Sequence, residues 1–156
     1  MFAPLSFFGM GAFFLLDTLP GQIGAVLTVG VCLFAFLKGD EPERIAAGAF
    51  MLGWFATMLA QRDSDLYGFP WAIFGLDVVM LFVLGALAWK SGRTWPIWAT
   101  ALQLLVVMSH IMIMIDLRTP IASFYAVLNL AGYGILLCLA IGTFWAWQER
   151  RAAGLE

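Results

Sequence analysis

Charge is the first thing this sequence is short of. Only 12% of its 156 residues are Asp, Glu, Lys or Arg, against roughly 25% in an ordinary soluble domain. Histidine occurs once, at His110, and the two cysteines, Cys32 and Cys138, sit far apart inside apolar runs. Each shortage excludes a chemistry. A zinc centre needs three or four N, S or O ligands, so no metal site is expected. A haem iron could take His110 with Met108 or Met112, or with the same histidine of a second subunit, but a lone histidine is not a haem motif. Without a C-x-x-C pair the cysteines read as small apolar fillers. The chain has no basic run that would suit nucleic acid, no glycine-rich phosphate loop, no H-x-x-x-H spacing and no nucleophile–base pair. The balance therefore leans away from an enzyme, and these motifs leave any cofactor unknown. Residues 1–16 are apolar but have neither a positive region before them nor a small-residue cleavage site after them, so a cleaved secretory signal is not expected.

What the chain does have is apolar surface. Its residues are 63% hydrophobic and its mean hydropathy is +0.93. A soluble fold of this size could not hide so much, because its surface is large relative to its volume. The charges fall in short clusters with long uncharged runs between them, the pattern of a polytopic membrane protein. The runs lack strand alternation and are too long for barrel strands. The expected fold is therefore all-α, a single transmembrane domain over 1–156. About five crossing helices are expected, at roughly 22–37, 43–60, 69–89, 95–115 and 121–147. Pro42 suits the first turn of the second, where a missing N–H costs nothing. Residues 2–16 span only about 22 Å as a helix and are expected to lie in the interface or dip partway in.

Orientation follows from the basic residues. Lys38, Arg44, Lys90, Arg93, Arg150 and Arg151 fall on one side of such a bundle, and only Arg62 and Arg118 on the other. The positive-inside rule then puts the C-terminus in the cytoplasm, with a bacterial inner membrane as the expected location. Trp71, Trp89, Trp95, Trp145 and Trp147 fall near helix ends, where indoles favour the headgroup level.

Three helices then place a polar group at one depth. Counting at 1.5 Å per residue puts Asp77 roughly 12 Å, His110 roughly 9 Å and Asn129 roughly 13 Å below the outer boundary. Gln103 and His110 share a face of the fourth helix with Met114. Tyr125, Asn129 and Tyr133 line one side of the fifth. A carboxylate in a helix centre is costly on the order of 3 kcal/mol and should face protein. The expectation is that Asp77, His110 and Asn129 face the interior, that Asp77 and His110 approach within about 2.7–3.2 Å or through one water, and that Met80 faces lipid. The steps Ala49–Gly53 and Gly134–Cys138–Gly142 mark faces where helices pack closely.

Three functional readings remain open from the sequence. With tiny loops and no catalytic constellation, the first is a non-catalytic accessory or scaffolding subunit of a larger membrane complex, with lipid and other membrane subunits or further copies of itself as partners. The second is a small transporter, channel or proton conductor centred on Asp77 and His110, since histidine titrates near neutrality. The third is a binder of a hydrophobic cofactor, quinone or pigment, with Asp77, Gln103, His110, Asn129 and Tyr133 as its candidate polar layer.

Overall fold

The computed structural model describes residues 19–63, 71–115 and 121–155. They form five helices: α1 (Leu19–Lys38), α2 (Glu41–Asp63), α3 (Trp71–Ser91), α4 (Trp95–Ile115) and α5 (Ile121–Ala152). The protein is an all-α helical bundle. The expected N-terminal helix over 2–16 lies outside the described residues, as do Asp116, Arg118 and the side chains of Arg62 and Tyr125.

Each helix packs against its neighbours in sequence, α1 also packs against α5, and α2 touches α5 across the middle. The result is a ring of five. Lys38, Asp40, Arg93 and Arg150 meet one another, so the end of α1, the start of α2, the α3–α4 turn and the end of α5 share one end of the bundle. The helices therefore alternate in direction, with α1 and α5 parallel.

The interior is built from small residues and the outside from large ones. Ala35, Ala46, Ala47, Ala99, Ala131 and Ala146 are buried, together with Leu84, Ile135 and Leu139. Val26, Leu52, Phe82 and Leu130 are each more than 70% exposed. Inverting the usual distribution in this way suits contact with lipid, since association there relies on close packing of small side chains. Hydroxyls are silenced inside their own helices. Thr28, Thr57, Thr100, Ser109 and Thr143 each donate to the carbonyl four residues back.

The small-residue steps pack within the chain. A Cβ on Gly53 would touch Met80 of α3 at 3.5 Å, and one on Gly134 would press Leu102 of α4 at 2.8 Å. Met80 thus packs half-buried against the core, contrary to the lipid-facing position expected for it. Its neighbour Val79, 59% exposed, takes the outward direction instead.

Candidate functional site

Two polar constellations stand out. The first joins α3 and α4. Gln103, 3% exposed, donates from Nε2 to both the backbone carbonyl and the Oδ1 of Asp77, each at 3.1 Å. His110, 2% exposed, lies two turns further along α4, on the face that Gln103 shares. Its Nδ1 is 3.0 Å from the Val106 carbonyl. A carbonyl only accepts, so Nδ1 is the protonated nitrogen of that contact. The same nitrogen is 3.7 Å from Asp77 Oδ2, beyond hydrogen-bond range. The imidazole packs against Phe74 and, nearly perpendicular, against Phe124, with ring centroids 6.0 and 5.3 Å away.

The structure brings the expected pair to ion-pair distance, but the direct hydrogen bonds to Asp77 come from Gln103. Asp77 faces α4, but the amide of Gln103 takes its hydrogen bonds and His110 stands alongside. The reason is reach. The flexible amide of Gln103 can satisfy the carbonyl and the carboxylate of Asp77 together. His110 Nδ1 lies closer to the Val106 carbonyl of its own helix than to the Asp77 carboxylate.

Asn129 and Tyr133 do not join this group. Asn129 is exposed and Tyr133 is 43% exposed on α5, the tyrosine hydroxyl lying against Gly24 of α1. The interior position expected for Asn129 is corrected accordingly. The face of α5 that packs on α4 carries Gly134, Cys138 and Gly142, and Asn129 lies off that face. Alanine in place of His110 should lower stability on the order of 2 kcal/mol, seen as earlier thermal unfolding in detergent. Phe82→Ala, at a 72% exposed position, should cost far less. Equal, mild effects would mean that the α3–α4 cluster does not hold the bundle.

The second constellation sits at the charged end and was not anticipated from the sequence. Glu43 is completely buried. Its Oε1 accepts the Trp95 indole N–H at 2.7 Å, and its Oε2 accepts the Asp40 backbone N–H at 3.0 Å. The latter is one half of a capping box, in which the third helical residue reaches back to the N-cap. Gly39 makes room for it, since a Cβ there would fall 2.6 Å from that of Glu43. Arg93 binds Asp40 at 2.6 Å, and lies 3.6 Å from Glu43 and 3.5 Å from Glu149. Arg150 joins the Asp40 carboxylate to the Lys38 carbonyl, capping the end of α1. Lys38 and Arg151 both lie within 6 Å of the Trp147 ring centroid, at 5.7 and 5.2 Å.

Trp95 is accordingly only 5% exposed, not at the headgroup surface expected for it, whereas Trp71, Trp89 and Trp145 are more than 60% exposed near helix ends. The spacing Asp40-x-x-Glu43 was a readable sign of a capping box. No local signal announced that Trp95 and Arg93, some fifty residues later, would complete it.

Among the described residues no group of three or more His, Cys, Asp or Glu side chains is placed to hold a metal ion. Three helical stretches are long and apolar enough to cross a membrane: Trp71–Ser91, Trp95–Ile115 and Ala126–Ala152. The apolar part of α1, Gln22–Lys38, is shorter, and α2 carries charges at both ends. Fold and composition thus define a helical bundle compatible with a membrane protein. No protein-family model matches the chain, and neither the curated proteins nor the solved structures contain a significant match.

Proposed function

We propose that this is a multi-pass protein of a bacterial inner membrane that serves as a non-catalytic accessory or scaffolding subunit of a larger membrane complex. In this reading all five helices cross, α1 and α2 being carried by their packing against the three longer apolar stretches. Lys38, Arg44, Lys90, Arg93, Arg150 and Arg151 gather toward one end of the bundle, and the positive-inside rule supports a cytoplasmic C-terminus there.

The observation that carries the subunit role is the exposed Asn129. Its carboxamide stands on the outer face of α5 beside Leu130, which is 75% exposed. At that depth lipid offers an amide no hydrogen bond, whereas a neighbouring transmembrane helix can. The partner that fits is a membrane helix of another subunit bearing a donor or acceptor at the same level. Asp77, by contrast, is bonded twice to Gln103. That supports a bolt between α3 and α4 more than a proton path.

Gentle solubilisation of native membranes, followed by separation by size, tests the role. The chain is expected in a species much larger than its own 17.2 kDa. Asn129→Leu should release a substantial fraction without lowering the thermal stability of the isolated chain. A protein that runs only as a free monomer or small homo-oligomer overturns the reading.

A further inference from the structure

A groove of about 580 Å³ runs down the outer side of the α4–α5 contact. Its upper rim is formed by Arg93 and Glu149, and its lower wall includes Ile141 and Cys138. Trp98 of α4 and Trp145 of α5, 68% and 61% exposed, stand along it. We propose that this groove binds one zwitterionic phospholipid whose headgroup ends in a primary amine, of the phosphatidylethanolamine class. The proposal rests on the membrane placement of the helices and not on the assembly role.

Dimensions and charge support it together. From Glu149 to Cys138 along α5 the groove descends roughly 16 Å, about the thickness of one leaflet of a ~30 Å hydrocarbon core. Each exposed indole lies four residues inward of the rim, Trp98 from Thr94 and Trp145 from Glu149, roughly 6 Å down. That is where tryptophan meets the glycerol and headgroup region.

The rim carries one charge of each sign. The Arg93 side chain is 25% exposed, and its guanidinium has five N–H donors to share between its carboxylate partners and a phosphate. Glu149 is 66% exposed and its only ion pair among the described residues, to Arg93, is a long 3.5 Å. Its carboxylate can therefore accept from a lipid ammonium beside that phosphate. An anionic lipid would satisfy Arg93 but bring nothing for Glu149 except repulsion. A choline headgroup has the right net charge but no N–H to donate.

The test uses the full chain purified in detergent and native mass spectrometry. Phosphatidylethanolamine, phosphatidylcholine and phosphatidylglycerol of matched acyl chains are added separately at equal concentration. The wild type should retain one phosphatidylethanolamine about tenfold more strongly than either competitor, the scale of one charge-assisted hydrogen bond. Glu149→Gln, at an exposed position outside the buried part of the network, should bring the three lipids level by weakening retention of phosphatidylethanolamine. Equal retention of the three by the wild type overturns the proposal, and so does a preference that survives Glu149→Gln. Because the measurement is made on the isolated chain, its outcome does not depend on whether a larger complex exists.

Discussion

Replacing Glu43 with alanine is expected to lower stability by about 3 kcal/mol, on the order of 10 °C in the midpoint of thermal unfolding. Glu43 is fully buried, and two donors depend on it, the Trp95 indole and the Asp40 backbone N–H. Truncation leaves both without their acceptor and removes a counter-charge 3.6 Å from Arg93. An orphaned buried donor costs about 1–3 kcal/mol. The loss stays at the lower end for a broken buried ion pair because Arg93 retains Asp40 and Glu149. Glu43→Gln keeps an acceptor oxygen and should lose about 1 kcal/mol. Glu41→Gln, two residues earlier and exposed, should change stability by less than about 0.5 kcal/mol. Unfolding in detergent, followed by near-ultraviolet circular dichroism, reads all three. If Glu43→Ala proves as mild as Glu41→Gln, the charged end is not what clamps the helices.

The second large effect belongs to Gly142. A Cβ at this position would lie 2.5 Å from Trp95 Cγ and 2.6 Å from Nε1. The indole cannot easily retreat, because its N–H is held by Glu43 and its ring is buried. Gly142→Ala should therefore destabilise by about 1–3 kcal/mol, the range for overpacked cores, although alanine is the better helix former by about 1 kcal/mol. Two other glycines of α5 calibrate the result. At Gly134 the obstacle is a flexible leucine methyl, and at Gly132 a Cβ meets nothing within 4 Å. Gly134→Ala should be milder, and Gly132→Ala neutral or stabilising. A Gly142→Ala protein as stable as Gly132→Ala would show that the α4–α5 contact has slack.

Much of the fold was written locally. Long uncharged runs between charge clusters set the helices, and their ends agree with α1 to α5 within a few residues, apart from the end of α5. Expected to stop near Trp147, that helix continues to Ala152. Gln148-Glu149-Arg150-Arg151 is polar but still helix-forming, so hydropathy marks where lipid contact ends and not where the helix ends. Asp77 was recognisable as costly, and its burden on α4 could be inferred. Which side chain on α4 answers it could not. Gln103 and His110 share a face, and only the packing of α3 on α4 sets the amide at hydrogen-bond distance from Asp77 and the imidazole at 3.7 Å.

The sequence by itself determined that the chain is helical, roughly where each helix lies, and that its outward surface is apolar, because these follow from composition and from backbone hydrogen bonding within each segment. Tertiary structure alone decided which charges are buried. Glu43 and Arg93 look like loop charges beside one another in kind, yet one is sealed under Trp95 and the other bridges three acids. Asn129 looks like a core polar residue and lies outside. Those outcomes depend on how each helix is rotated about its axis, which is set by contacts such as Gly142 against Trp95 between residues distant in the chain. Helical spacing fixes which residues share a face, but the neighbouring helices choose the direction in which that face points.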